Sequence, residues 1–464
     1  MLIFNAQSVV GKQLLQGELP SDKTLFTDTL RMAWPTMLES FLTALISLAD
    51  TIMVGALGSY AIAAVGLTAQ PRFLCLTIFF SISTAVSALT ARRTGAGNRD
   101  EANRTLIQAL AITFILALCI GSAAYVCADP ILRFAGSQTD THSHSIIYFR
   151  IIIASLVLQA FTLVVNAAQR GAGNTKIAMK TNLVSNAINI IFNFLLIEGR
   201  FGFPALGVRG AAIASVLGFA AAFILSTASV LKPDGYLFLF YRNNKLRFDT
   251  RILAGLYKVG SGALLEQIFL RVGFFLYAIV VANLGTAAFA AHQIGMIVIS
   301  ISFAVGDGLS LAGITLVGQS LGKKRPDLAK IYGVFCQRMG LVCSLTIALV
   351  YSTFGRNIYS LFSSDTIILN YGSIIMKIVA FIVIFQVGQV IGFGCLRGAG
   401  DTRYTAVVSL ISVAIIRPFS GWLFVYPFNW GLTGAWLGLL LDQFVRFTLT
   451  WVRFKKGKWQ TIEI

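Results

Sequence analysis

RGAGNTK (residues 170–176) and RGAGDTR (residues 397–403) are nearly the same seven residues, 227 positions apart. Working outward at that shift, Leu38-Glu39 falls on Leu265-Glu266 and Leu57-Gly58 on Leu284-Gly285. Ala63-Ala64 falls on Ala290-Ala291, and Gly95, Asp100 and Ala102 fall on Gly322, Asp327 and Ala329. Gln159 meets Gln386, and beyond the paired turns Gly207 and Gly210 meet Gly431 and Gly434 at a shift of 224, three residues shorter. A register that holds over so long a stretch marks an internal duplication.

What is duplicated follows from hydropathy. Of 464 residues, 56% are hydrophobic and only 12% charged, with a mean hydropathy of +0.77. Soluble proteins carry roughly 25% charged residues, so this chain cannot build a water-facing surface. A cytosolic enzyme, a nucleic-acid-binding module and a disordered chain are excluded. A membrane helix needs about 20 apolar residues, and the chain offers such stretches at 30–56, 61–89, 105–128, 146–168, 178–197, 208–231, 253–282, 289–320, 331–354, 368–395, 404–425 and 431–452. The expected fold is therefore an all-α integral membrane protein of 12 transmembrane helices in two pseudo-symmetric six-helix lobes. The expected domains are an N-terminal segment (1–26), an N-lobe (27–231), a polar linker (232–252), a C-lobe (253–454) and a tail (455–464). Six spans is an even number, so both halves enter the membrane in the same sense, related by an axis along its normal. That is an architecture of rocking transporters.

The formal charge of +18 fits this topology. With the N-terminus inside, the cytoplasmic segments hold 26 Lys and Arg, and the opposite loops hold five. Basic residues concentrate on the cytoplasmic side of membrane proteins, so both termini are expected there, in the cell membrane, with no removable leader. The six cysteines lie mostly in apolar runs without CxxC spacing and read as small core residues.

Charged groups inside a span cost about 2.5–3.5 kcal/mol or more, which makes them functional candidates. Glu39, Asp50, Glu266, Asp307 and Asp442 are such residues. Glu39 and Asp50 lie eleven residues apart, about three turns, and so share one face about 16.5 Å apart along the axis. A carboxylate held away from bulk water can keep a proton and trade it for a cation. Asn182, Asn186, Asn189 and Asn193, spaced 4, 3 and 4, form one amide stripe that either bonds across helices or lines a cavity. Glu266 is the repeat partner of Glu39, whereas Asp50 falls on Tyr277. Arg271 is an uncertain partner for Glu266. Asp307, in the Gly-flanked VGDG, is expected to cap or line a helix break. Asp442 and Arg446 read as a structural i,i+4 pair, and Gln159 and Gln386 as hydrogen-bonding glue. His292 reads as structural, and Gln70 joins the secondary candidates. The RGAG turns match neither GxxxxGK[ST] nor GxGxxG. With no nucleotide site in view, transport would draw on an ion gradient.

These residues resemble the multidrug and toxic compound extrusion (MATE) family, in its DinF-like bacterial branch, over about residues 25–455. The resemblance rests on LADTIMVGALGSYAIAAVGL (48–67), the paired RGAGxT turns, AAHQI (290–294), VGQSLG (317–322) and GVRGAAIAS (207–215). It implies a V-shaped bundle that exports organic, mostly cationic, compounds in exchange for H⁺ or Na⁺. Asp50 matches the family's helix-1 aspartate, where Na⁺ could also sit, and Asn189 the asparagine that supports it. Asn193 stands where the family often has aspartate, and Glu266 matches the helix-7 glutamate. The expected partners are small organic cations and the lipid bilayer, with no nucleic acid, nucleotide or cofactor, and a monomeric chain. A flippase of lipid-linked saccharides from the same superfamily is the rival transporter reading. A membrane-embedded hydrolase would need a Ser/His, paired-Asp or zinc-spacing constellation that the chain lacks, so no enzyme activity is expected.

Overall fold

The computed structural model describes Ala6, Val9 and residues 15–240 and 249–464. The expected N-terminal segment and linker lie partly outside these residues, at 1–5, 7–8, 10–14 and 241–248. The described chain is helical: α1 (Asp22–Gly55), α2 (Ser59–Gly95), α3 (Arg99–Val126), α4 (Ala128–Phe134), α5 (Thr139–Ala154), α6 (Leu156–Gly171), α7 (Thr175–Leu196) and α8 (Val208–Val230) precede the linker. After it come α9 (Thr250–Ala282), α10 (Thr286–Gly322), α11 (Pro326–Ser360), α12 (Thr366–Gly398), α13 (Thr402–Ser409), α14 (Arg417–Val425) and α15 (Gly431–Lys456). Large apolar side chains stand exposed in mid-helix, Ile224 at 63%, Leu349 at 65% and Phe381 at 63%. Water would not tolerate so much exposed apolar surface, but a lipid environment does.

All twelve expected spans are present as helix. Eight helical stretches are individually long and apolar enough to cross a membrane, and α5 with α6 makes a ninth. The remaining three, α1, α7 and α15, carry the polar groups: Glu39 and Asp50, the asparagine stripe, and Asp442 with Arg446.

The halves diverge at two places. The expected span 146–168 is two helices bent by 47°. At the bend, the Ser155 hydroxyl donates to the carbonyl of Ile152 (2.7 Å) and accepts from Gln159 Nε2 (3.2 Å); such back-bonding competes with the helix ladder and bends it. Its repeat counterpart is Ile382, and α12 is continuous there. Conversely, Leu410–Ile416 is a π-helical segment between α13 and α14, ended by Arg417-Pro418. Proline has no N–H to return to the preceding turn, and a single π turn absorbs the mismatch. The counterpart of Pro418 is Ile191, inside the regular α7.

The described chain divides into two compact units, Phe41–Tyr257 and Met1–Ser40 with Lys258–Ile464. In the first, α2 packs on α6 and α7 on α8; in the second, the repeat-equivalent pairs α10 with α12 and α14 with α15 do the same. α10 runs unbroken through VGDG, which corrects the expectation of a helix break at Asp307. The glycine serves close approach instead: a side chain at Gly308 would lie 2.6 Å from the backbone nitrogen of Met37, and Thr36 donates to the Gly308 carbonyl at 2.9 Å.

The second unit also holds the segment ahead of α1. Ala6 packs with Leu25, Leu316 and Phe335, and Gln16 N donates to Asp327 at 3.3 Å. Burial raises the Asp327 carboxyl, but Arg325 (2.8 Å) and the amides of Gln16 and Leu328 outweigh it and hold the carboxyl below the usual aspartate range. The contact is therefore complete above an ordinary carboxylate pKa and is lost only as pH falls through the depressed value. Hydrogen bonds to a charged group are worth about 1.5–3 kcal/mol. Asp327→Asn is accordingly expected to speed amide exchange at Gln16 by roughly tenfold or more in hydrogen-exchange mass spectrometry; unchanged exchange would show that the carboxylate does not hold this segment.

Candidate functional site

In the unit Phe41–Tyr257, the close approach of α7 and α8 sets the geometry. Gly218 makes it possible: a side chain there would lie 2.7 Å from the Ser185 carbonyl. Ser185 Oγ in turn donates to the Gly218 carbonyl at 2.8 Å. One turn from this contact, Ser215 of α8 meets Asn189 of α7, and Asn193 is four residues further on the same face.

These groups converge on Asp50. Asn193 Nδ2 donates to Asp50 Oδ1 at 2.8 Å. The Asn189 amide satisfies its neighbours when its nitrogen faces Asp50, donating to Oδ1 at 2.8 Å and Oδ2 at 3.1 Å, while its oxygen accepts from Ser215 Oγ and N at 3.2 Å. Ser215 also lies within side-chain hydrogen-bond reach of the buried Tyr148. The carboxylate thus sits in a shell of neutral amides and hydroxyls, with no ion pair among the described residues. Asn186, half-buried, lies outside this shell, and Gln70 is exposed on α2.

Sequence reasoning passed over Arg72, a lone arginine in an otherwise apolar span. It is buried in this unit, with Nη2 donating to Gln159 Oε1 at 3.0 Å and its guanidinium 5.2 Å from the Phe219 ring centre. Its charge acts on Tyr148, the neighbour of Ser215.

In the other unit, Glu266 and Asp442 carry cations of their own. Glu266 pairs with Arg397 and accepts from Thr405 Oγ1 at 2.7 Å. This partner comes from the second RGAG turn. Asp307 also acts on Arg397, and Glu39 falls in this unit, nearly buried. Asp442 does pair with Arg446 (2.9 Å), and also with Arg417, whose Nε lies 2.9 Å from Oδ2, and with the Ser412 hydroxyl. Arg417 is brought inward directly after the π-helical segment, an irregularity that periodicity does not register. Tyr277 is buried and donates to the Ala435 carbonyl at 2.8 Å; Gln386 is buried on α12. Among the described residues no His, Cys, Asp and Glu cluster forms a metal site, and the cysteines are free.

The repeated helix pairs, with a half-buried, amide-held aspartate in the first half, have counterparts in known proteins. The family model described as MatE matches the chain twice, over residues 35–195 and 263–423, one match in each repeat. The chain belongs to the MatE family. The MatE chain is 29% identical over 453 residues to the probable multidrug resistance protein NorM of Thermotoga maritima, covering 96% of each. It is 24% identical over 451 residues to the uncharacterized transporter YisQ of Bacillus subtilis, covering 95% of this chain and 96% of that one. Among solved structures, a MATE protein in complex with MaD3S superimposes with a TM-score of 0.86 at 20% identity, over 96% of this chain and 98% of that one. The outward-facing form of a multidrug resistance MATE transporter gives 0.87 at 21% identity, over 97% and 98%. The fold is thus that of a MATE transporter, a multi-pass membrane protein of twelve spans.

Proposed function

We propose that this MatE chain is a secondary active antiporter of the cell membrane, both termini cytoplasmic, that exports organic and mostly cationic compounds in exchange for H⁺ or Na⁺. The observation that carries this reading is the contrast among its membrane acids. Glu266 and Asp442 hold internal arginines, whereas Asp50 is held by Asn189 and Asn193 alone among the described residues. An acid whose charge is already matched has little to gain from a mobile cation. One surrounded by neutral donors can take up H⁺, Na⁺ or a cationic compound in turn.

In this mechanism Asp50 accepts an ion from outside, its shell with Asn189 and Asn193 rearranges, and a cationic compound bound from inside is released. The linkage is reciprocal because both ligands draw on the same carboxylate. Glu39 is a further candidate for drawing in the cation. The names of the relatives support drug export as the direction, and the neutral amide donors on Asp50, with no ion pair to it among the described residues, favour cations over anions there.

The test is transport by the purified chain in proteoliposomes under an imposed ΔpH or ΔNa⁺, read with a panel of fluorescent organic cations. One gradient is expected to drive movement of at least one cation. Transport that ignores both gradients would overturn ion coupling.

A further inference from the structure

The repeat places a second group of residues where the first half has its amide-held acid. At the shift of 227, Asp50 corresponds to Tyr277, and Asn189 to Ile416, next to Arg417. At the shift of 224, Ala212 corresponds to Trp436 and Gly218 to Asp442. The equivalent position in the C-terminal half is therefore occupied by Tyr277, Arg417, Trp436 and Asp442, with His292 among them. His292 lies 5.6 Å from Tyr277 and 5.3 Å from Trp436 between ring centres, and Arg417 Cζ is 6.0 Å from the Tyr277 ring.

The polarity is reversed. Arg417 and Arg446 share the single carboxylate of Asp442, both bonding its Oδ2. All three side chains are at most 6% exposed. Elsewhere in the unit Glu266 pairs with Arg397, on which Asp307 also acts, and the Glu266 charge reaches Arg446 as well. In direct ion pairs two guanidiniums therefore share one carboxylate at the Asp442 end, in a setting where a charge is costly unless it is paired and hydrogen-bonded. The hydrogen bonding is also incomplete. Arg417 Nη1, Trp436 Nε1 and His292 Nδ1 are buried without a hydrogen-bond partner among the described residues. Arginine and indole N–H groups only donate, and imidazole Nδ1 donates in one tautomer. Three such nitrogens on neighbouring side chains, beside two guanidiniums on one carboxylate, describe a place that lacks an acceptor with negative charge.

We propose that the C-terminal half holds a small monovalent anion at this position, either chloride or a carboxylate borne by a bound compound, received by Arg417, Trp436 and His292. The ion completes the donors and adds a second negative charge beside the two guanidiniums, while Asp442 orients both. The inference does not depend on the role of Asp50.

The test uses the full purified chain in detergent with sodium isethionate, a bulky sulfonate, as the background salt. Sodium chloride and sodium acetate are each titrated at constant ionic strength while Tm is read. Saturable stabilisation is expected, by chloride if the ion is free and by acetate if the site reads carboxylates. Trp436→Phe, which removes the indole donor but keeps an aromatic ring, and His292→Asn should each weaken the apparent affinity at least fivefold. Wild-type crystals soaked in bromide should show an anomalous peak within hydrogen-bonding distance of Arg417 Nη1, a readout independent of any variant's folding. Superimposable melting curves in the three salts, wild-type affinities in both variants, or, where chloride stabilises, ordered water without bromide at Arg417 would each overturn the proposal.

Discussion

Asp50→Asn is expected to reduce gradient-driven transport to the level of protein-free liposomes while leaving the protein folded. Coupling free energies between linked ligands run about 1–3 kcal/mol, roughly 5- to 150-fold. Removing the shared carboxylate removes the whole of that coupling. Folding should survive because asparagine keeps the shape of aspartate, and because Asp50 leaves no buried guanidinium behind: its neighbours are Asn189 and Asn193, which are neutral. The substituted amide can still accept from one of them through its oxygen. Binding of an organic cation to the variant should weaken and lose its dependence on pH or Na⁺, since both ligands used the lost charge. The measurement is dye movement in proteoliposomes, with a matched size-exclusion profile to verify folding. Wild-type rates in Asp50→Asn would dismiss this residue as the coupling acid. Asp50→Glu, longer by one methylene, is a useful companion: it retains the charge but displaces it from the two amides, so partial activity is expected.

The residues that made the fold legible are those whose signal lies along the chain. The RGAG turns illustrate this. Gly173 (φ +93°) donates to the Arg170 carbonyl and Asn174 to that of Gln169, both at 2.8 Å, and Gly400 (φ +87°) with Asp401 repeats the pattern on Arg397 and Leu396. This left-handed termination favours glycine, so at these two turns it leaves a mark in the sequence. Asn189 and Asn193 were legible for a similar reason, since a spacing of four places them on one face. Arg417 was not, because its partner Asp442 lies 25 residues away and the π-helical segment turns it inward. Arg72 was hidden by its surroundings: one arginine in a long apolar span gives no periodic signal, and its partner Gln159 comes from another helix. The bend at Ser155 was invisible to hydropathy, which sees one span where a hydroxyl has divided the ladder.

Gly398→Val is expected to prevent stable assembly of the C-terminal half. Lipid offers helices no hydrophobic reward for associating, so their packing depends on close backbone contact at small residues. Gly394 and Gly398 form such a pair on α12: a side chain at the first would come within 2.3 Å of the Ser310 carbonyl, and at the second within 2.4 Å of the Ile314 carbonyl. The obstructing atoms are backbone, which cannot rotate away as a side chain could, so α10 and α12 would have to separate along their most extensive contact. Overpacking of this kind costs about 1–3 kcal/mol when side chains can adjust; here the cost should lie at or above the upper end. The expected readout is loss of the monodisperse peak in detergent or a marked fall in Tm. Gly66→Ala is the contrast, because a side chain there meets nothing within 4 Å, and it should be neutral or slightly stabilising. The repeat extends the argument. Gly171, the counterpart of Gly398, faces the carbonyl of Ser87 at 2.5 Å, and Ser87 is the counterpart of Ile314. Gly171→Val should therefore damage the N-terminal half in the same way, whereas equal tolerance of both substitutions would show that close helix contact does not set the assembly. Gly398 has an added consequence, because it directly follows Arg397. Forcing α12 away from α10 would also displace the guanidinium that matches Glu266, leaving a buried carboxylate without its cation, and a buried pair broken on one side costs about 3–5 kcal/mol.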